Sequence, residues 1–179
     1  MWVFIYTLKH VQRDQIYLRT CLIQLVGFLE KDKLSNKKFN VFLFVLLALI
    51  LGGLSSSNTA NDTWYQELTK SDLNPPGYIF GIVWPILYFL MSISAYRSYE
   101  IIKKLFFIQL FFNMIWSWLF FYFQMPLIAL ADILLLIYLN MRILVILFKS
   151  DFTSGILYAP YILWLCFASY LNLFIVFNN

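Results

Sequence analysis

The stretch Pro126–Phe148, PLIALADILLLIYLNMRILVILF, has only one acid, Asp132, and one base, Arg142. At about 1.5 Å per residue, an α-helix of this length crosses a hydrocarbon core of roughly 30 Å. Four further apolar runs flank it, three of similar length and one shorter. These are Val41–Leu54, Tyr78–Tyr96, Leu105–Met125 and Ile156–Phe177. The pattern predicts an all-α integral membrane protein, a bundle of five transmembrane helices with a long loop between the first two.

Composition excludes the other fold classes. Hydrophobic residues make up 62% of the 179 residues and charged residues 12%, against about 45–50% and 25% in soluble domains. A soluble fold of this size could not hide so much apolar surface. The aromatic content of 21% also excludes a disordered chain, because disordered segments contain few aromatic residues.

The basic charge lies at the N-terminus. Residues 1–38 hold seven Lys or Arg and three acids, so they account for the net charge of +4 of the whole chain. We therefore expect a basic arm, residues 1–38, and a membrane domain, residues 39–179. The arm contains a short apolar stretch, Ile16–Leu29, that is typical of an interfacial helix. The alternative is that translation starts near residue 34 and that the arm is a start-site artefact.

Charges between the runs predict the orientation. Basic residues precede the first apolar run, follow the second run and lie at the end of the fourth run. Residues 55–77, between the first two runs, carry three acids and one base, Lys70. The positive-inside rule then places the N-terminus in the cytoplasm of a bacterial inner membrane. A eukaryotic protein would be expected in the mitochondrial outer membrane. A basic arm beside an apolar span suggests contact with the lipid bilayer and no nucleic acid partner.

Residue types for metal and hydrolytic sites are scarce. His10 is the single histidine, and Cys21 and Cys166 form no C-x-x-C motif. We expect no metal site, no cofactor and no catalytic triad.

Three runs carry polar and aromatic side chains at four-residue steps, which places each set on one helix face. The sets are Trp84, Tyr88 and Ser92; Gln109, Asn113 and Ser117; and Pro160, Trp164, Ala168 and Asn172. One interpretation is interhelical hydrogen bonding, worth about 0.6 kcal/mol per bond. The other is the wall of a ligand cavity. Flat aromatic walls with a few polar groups suit a large, planar, mostly apolar ligand, so the cavity is favoured.

Five stretches carry a resemblance to a known family, in the order and spacing of the spans. They are Trp64-Tyr65-x-x-Leu68; Pro75-Pro76-x-x-x-Phe80-Gly81-x-Val83-Trp84-x-x-Leu87-Tyr88; Gln109-Leu110-x-x-Asn113-x-x-Trp116-Ser117; Ala129-Leu130-x-Asp132; and Pro160-Tyr161-x-x-Trp164-x-x-Phe167-Ala168-x-Tyr170-Leu171-Asn172. The chain resembles the TspO/MBR family, that of the translocator protein or peripheral-type benzodiazepine receptor.

The resemblance implies a membrane-embedded protein that binds porphyrins or similar ligands in a cavity closed by the first loop. By motif position, the residues facing the ligand would be Trp84, Asn113, Trp164 and Ala168. Trp64 and Tyr65 would belong to the loop that forms the lid. Tyr88 and Gln109 are added as candidate ligand-binding residues because they share the faces of Trp84 and Asn113.

Three functions stay open. Tetrapyrrole binding for transport, scavenging or sensing is the leading hypothesis. The alternatives are light-dependent porphyrin degradation, which the resemblance associates with Trp84 and Trp164, and a regulatory subunit of another membrane complex. A sterol ligand is less expected because no Lys or Arg follows Tyr170. A homodimer is an open alternative, although the Phe-rich third run lacks a small-x-x-x-small face.

Overall fold

The structure is a computed structural model that describes residues 38–57 and 62–179. The chain divides into two units, Met1–Asn40 and Val41–Asn179, and the contacts described below lie within the second. The predicted N-terminal arm, residues 1–38, lies outside the described residues except for Lys38, so the interfacial helix and the start-site artefact both stay predictions.

Six α-helices follow one another along the described chain. They are α1 Lys38–Ser56, α2 Thr63–Glu67, α3 Gly77–Arg97, α4 Tyr99–Ser117, α5 Pro126–Ser150 and α6 Phe152–Asn178. A π-helical turn, Trp118–Tyr122, extends α4. All but α2 are long and apolar enough to cross a membrane, and the two described segments contain no strand. The predicted all-α protein with five membrane helices is confirmed.

Helix α4 begins earlier than its apolar run. The run starts at Leu105, whereas the helix starts at Tyr99 and includes charged residues in its first turns. The Lys103 ammonium forms an ion pair with Glu100 at 2.5 Å and lies 5.7 Å from the Tyr99 ring centroid. These contacts let polar residues continue the helix beyond the hydrophobic stretch.

A tight reversal joins α4 to α5. Gln124 has a φ of 55°, the left-handed conformation in which helices commonly end. Pro126 occupies the start of α5, where its missing N–H costs no hydrogen bond. Gln124, Met125 and Pro126 thus form the reversal between the two helices.

The helices form a ring. Helix α5 packs against α4 and α6, and α6 packs against α3. Helix α1 closes the ring beside α4: the Phe44 and Phe107 rings lie 5.4 Å apart, and the Trp118 indole donates to the Leu51 carbonyl at 3.1 Å. The buried face of α1 consists of residues at helical spacing, namely Val41, Val45, Ala48 and Gly52.

An ionic contact joins the ends of α3 and α5 at one rim of the bundle. The Arg97 guanidinium makes two hydrogen bonds to the Asp151 carboxylate, at 3.0 and 3.3 Å. Asp151 also caps α6 by accepting from the hydroxyl and the backbone N–H of Ser154. These Ser154 bonds, followed by Arg97, lower the pKa of Asp151. The rim thus fixes how α3, α5 and α6 meet.

Candidate ligand-binding cavity

A cavity of about 360 Å³ lies between α1, α3, α4 and α6, under the loop that carries α2. Aromatic side chains and glycines dominate its walls, with a few polar groups among them. The lining comprises Leu49, Gly52, Gly53, Ser56, Tyr65, Gly77, Phe80, Gly81, Trp84, Pro85, Tyr88, Asn113, Trp116, Ser117, Phe121 and Ala168. Its volume falls at the lower end of the range of about 300–1,000 Å³ typical of ligand sites.

Trp84 is the centre of the aromatic wall. Its ring meets Tyr88 edge-on at 5.9 Å and Trp164 at 6.4 Å with an interplanar angle of 90°. Trp164 in turn contacts Phe80 at 5.8 Å. Edge-to-face pairs of this kind contribute about 0.5–1.5 kcal/mol each beyond the burial of their area. The indole of Trp84 is therefore held in one orientation against the cavity.

Glycines open the wall on the side of α1 and α3. A Cβ atom added at Gly53, Gly77 or Gly81 would meet nothing within 4 Å. At Gly52 it would lie 3.4 Å from the Ser117 hydroxyl of α4. The first three glycines thus leave space beside the cavity, whereas Gly52 allows α1 to approach α4.

The polar end of the cavity continues into a chain of hydrogen bonds inside the bundle. Six buried side chains from α3, α4, α5 and α6 take part, and together they are called the polar chain. In order of contact they are Tyr88, Asn113, Tyr161, Gln109, Asn140 and Tyr158. Only Tyr88 and Asn113 line the cavity.

The contacts of the polar chain are short and directional. The Tyr88 hydroxyl donates to Asn113 Oδ1, and Asn113 Nδ2 donates to the Tyr161 hydroxyl at 2.7 Å. Tyr161 donates to Gln109 Oε1 at 3.1 Å. Asn140 Nδ2 donates to the same oxygen at 3.3 Å, and the Tyr158 hydroxyl donates to Asn140 Oδ1 at 2.6 Å. Buried networks that are fully paired fix one arrangement of the core.

The loop before α3 covers one end of the cavity with aromatic side chains. Asp62 caps α2 by accepting from the Trp64 N–H at 3.1 Å. The Trp64 and Tyr65 rings contact Phe120 at 6.0 and 6.5 Å. The Lys70 ammonium lies 4.4 Å from the Tyr65 ring centroid. Burial raises the pKa of the Tyr65 hydroxyl, partly offset by its hydrogen bond with Asn74.

Two further contacts attach the loop to the end of α6. The Ser71 hydroxyl lies 3.0 Å from the Tyr170 hydroxyl. The Asn179 side chain accepts from the Thr69 N–H at 2.8 Å and donates to the Thr69 carbonyl at 3.2 Å. These three hydrogen bonds join the described part of the loop to α6 and its C-terminal residue.

Two indoles and one carboxyl are buried without a hydrogen-bond partner within the described segments. Trp116 Nε1, Trp164 Nε1 and Asp132 Oδ2 are the atoms concerned. Trp116 lines the cavity. Asp132 and Trp164 lie outside the lining.

Comparison with known proteins agrees with this architecture. The sequence model of the TspO/MBR family matches residues 41–177, nearly the whole of the helical bundle.

The chain belongs to the TspO/MBR family.

Relatives of the chain cover most of its length. The tryptophan-rich protein TspO of Archaeoglobus fulgidus is 37% identical over 144 residues, 75% of this chain and 94% of the relative. The tryptophan-rich sensory protein of Cereibacter sphaeroides is 30% identical over 142 residues, 76% and 90% of the two chains. Protein CrtK of Rhodobacter capsulatus is 30% identical over 145 residues, 74% and 88%.

In this TspO/MBR protein, five of the eight predicted site residues meet at the cavity. They are Tyr65, Trp84, Tyr88, Asn113 and Ala168. The other three lie outside its lining. Gln109 belongs to the polar chain, Trp164 packs behind Trp84, and Trp64 packs on Phe120. Their roles in binding stay predictions.

Sequence reasoning missed the contribution of α1 and the glycines. Leu49, Gly52, Gly53 and Ser56 line the cavity, yet none of them has a chemically distinctive side chain. The signal that could have found them is the Gly52-Gly53 pair inside an apolar helix, since glycine there permits close approach. No cluster of three metal-ligating side chains occurs in the part of the chain that the structure describes.

Proposed function

We propose that the protein binds a porphyrin, or a similar large planar apolar ligand, in the cavity and acts in sensing, transport or scavenging. The main support for this proposal is the cavity itself. Its aromatic walls include Trp84, Trp116 and Phe121, and its polar groups include Tyr88 and Asn113. Flat apolar walls with a few fixed polar groups are typical of such ligand sites.

The volume of about 360 Å³ is small for a tetrapyrrole. The open space beside Gly53, Gly77 and Gly81 offers room for one edge of the ring. The loop before α3 covers the other end of the cavity, and its movement would admit the rest of the ring. The name of the Cereibacter relative, a sensory protein, supports sensing as one use of the bound ligand.

Dark titration with protoporphyrin tests this proposal. Purified protein in detergent should show saturable quenching of tryptophan fluorescence. Trp84→Phe should raise the dissociation constant by a factor of roughly five, because an aromatic contact contributes about 1 kcal/mol. Trp118→Phe is the matched control, because Trp118 lies outside the lining and bonds to Leu51. Absence of saturation, or equal weakening in both variants, would favour a regulatory subunit of another complex.

A second candidate function rests on the contact between Trp84 and Trp164, whose rings lie 6.4 Å apart. Under light, two adjacent indoles beside a bound porphyrin could take part in its oxidative breakdown. This activity should produce a new absorbing species over time in illuminated samples with oxygen. Trp164→Phe should stop product formation and leave dark binding nearly unchanged. Product formation at the wild-type rate in this variant would exclude the indole pair.

We infer that the rim with Arg97, Lys104 and Lys149 faces the cytoplasm of a bacterial inner membrane, with the N-terminus on the same side. The Arg97–Asp151 ion pair places the ends of α3 and α5 together at this rim, in accord with the positive-inside rule. In a chain with Cys21 and Cys166 replaced by Ser, a cysteine at Lys70 should react with an impermeant thiol reagent outside cells. A cysteine at Lys104 should not, and the reverse pattern would invert the orientation.

A further inference from the structure

The polar chain has a direction that is set at its inner end. Asn140 Nδ2 lies 2.8 Å from the Leu136 backbone carbonyl. A carbonyl oxygen only accepts hydrogen bonds, so the nitrogen of the Asn140 amide must lie on this side. The same nitrogen is 3.3 Å from Gln109. The Gln109 atom at that contact must therefore be its acceptor, Oε1.

This constraint passes from residue to residue towards the cavity. Because Gln109 Oε1 only accepts, the Tyr161 hydroxyl 3.1 Å away must donate to it. A hydroxyl has a single proton, so the Tyr161 oxygen acts as an acceptor in its 2.7 Å contact with Asn113. Asn113 must present Nδ2 to Tyr161, which turns its Oδ1 towards Tyr88.

The last step fixes the proton of Tyr88. Its hydroxyl faces the Asn113 oxygen, which cannot donate, so the Tyr88 proton is committed to Asn113. The Tyr88 oxygen can therefore only accept a hydrogen bond from a further partner, through its lone pair. A backbone carbonyl on α5 thus determines the hydrogen-bonding character of a side chain on α3 that lines the cavity.

We propose that Tyr88 accepts a hydrogen bond from the ligand, so that the cavity selects planar apolar ligands that carry an N–H or O–H donor. Gln109 and Tyr161 are positioning residues, because they act on the ligand only through Asn113 and Tyr88. The inference rests on the proposed ligand-binding function and names the class of ligand. It concerns the Tyr88 hydroxyl alone, since the Asn113 amide nitrogen has a second N–H.

Two tricyclic probes of nearly equal shape isolate this requirement. Carbazole has an N–H as its single polar group, and dibenzofuran has an ether oxygen at the same position. Both are flat and smaller than a tetrapyrrole, so they measure the contact at one end of the cavity. Wild-type protein should bind carbazole about fivefold more tightly than dibenzofuran, the effect of one net hydrogen bond. Each affinity is corrected for partitioning of the probe into detergent.

The variants separate positioning from general damage. Tyr88→Phe removes the acceptor and should bring the affinity ratio close to one. Tyr161→Phe breaks the path between Gln109 and Asn113, which frees the Asn113 amide to turn, and should also lower the ratio towards one. Gln109→Met should act in the same way, because it removes the acceptor that orders Tyr161.

Tyr158→Phe is the matched control. Tyr158 and Tyr161 are both fully buried on α6, and each variant loses one hydroxyl. Tyr158 lies beyond Asn140, whose orientation is set by the Leu136 carbonyl. Its loss should leave the carbazole preference at the wild-type ratio even if the protein becomes less stable.

The outcomes distinguish this inference from the proposed function. A wild-type protein that binds protoporphyrin but shows no carbazole preference, or binds neither tricycle, overturns the donor requirement alone. Equal changes of the ratio in Tyr158→Phe and Tyr161→Phe overturn the positioning path. Failure to bind protoporphyrin as well as both probes counts against the cavity as a ligand site.

Discussion

The polar chain and the cavity lie next to each other and use many of the same helices, but they treat polar groups differently. In the polar chain all six side chains have hydrogen-bond partners. Beside the cavity, the indole N–H groups of Trp116 and Trp164 are buried with no partner among the described residues. A buried group left unpaired costs about 1–3 kcal/mol. The polar groups of the polar chain are thus paired with one another, whereas two indole N–H groups beside the cavity are not paired within the described residues.

Asn140→Leu should have the largest effect on stability, because Asn140 is the node of the polar chain. The variant loses the bonds to Leu136, Gln109 and Tyr158. At about 0.6 kcal/mol per bond in membrane bundles, plus the cost of unpaired partners, we expect a loss of about 2–3 kcal/mol. Unfolding in mixed detergent micelles, followed by circular dichroism, measures the change.

Ser92→Ala is the control for this substitution. Ser92 is also buried, but within the described residues its hydroxyl bonds only to the Phe89 carbonyl of its own helix. We expect a change of a few tenths of a kcal/mol. If Asn140→Leu costs as little as Ser92→Ala, the polar chain does not stabilise its layer and the contrast with the cavity fails.

Two glycine substitutions should change stability in opposite directions. A Cβ at Gly155 would lie 2.6 Å from the Phe148 ring, whereas one at Gly81 would meet nothing within 4 Å. Gly155→Ala should destabilise the protein by about 1–2 kcal/mol because the Phe148 ring must leave its present position. Gly81→Ala should stabilise it by up to about 1 kcal/mol through helix propensity. The same unfolding assay compares them, and destabilisation by Gly81→Ala would show that the space beside the cavity is not open.

The sequence predicts the fold well because bilayer physics leaves few alternatives. A run such as Pro126–Phe148 must form a helix, since unpaired backbone groups are too costly in lipid. Helical spacing also placed Trp84, Tyr88 and Asn113 on faces that do meet at the cavity. The spacing could not reveal which residues lie one layer deeper. Gln109 shares a face with Asn113, yet it is fully buried behind it.

The polar chain was harder to predict for a physical reason. Asn140, Tyr158 and Tyr161 come from two helices, and their pairing depends on the relative rotation of α5 and α6, which single-helix patterns do not contain. The short helix α2 had a local signal in Asp62, a favourable N-cap. Its docking on Phe120 again depends on tertiary contacts.

Tyr170→Phe should loosen the loop over the cavity and speed release of a ligand. The variant removes the bond to Ser71 but leaves the Ser71–Leu73 turn contact intact. A hydrogen bond worth about 0.5–1.5 kcal/mol corresponds to a rise in the dissociation rate of roughly twofold to tenfold. Stopped-flow recovery of tryptophan fluorescence after porphyrin displacement measures this rate. Tyr138→Phe is the control, because its hydroxyl contacts Arg142 within α5, and it should leave the dissociation rate unchanged. An equal rise of the rate in both variants would show that the contact between Tyr170 and Ser71 does not slow release.

Trp164→Phe should have the smallest effect on stability and gives the sharpest comparison with the polar chain. The variant loses apolar area but also removes a buried N–H that has no partner within the described segments. Since these terms oppose each other, we expect a change within about 0.5 kcal/mol. Tyr161→Phe, one turn earlier on α6, removes one hydrogen bond from Asn113 and one from Gln109 and should cost about 1–2 kcal/mol. If Trp164→Phe proves the more costly of the two, the indole N–H is paired in the membrane, and the cavity layer is as fully bonded as the polar chain.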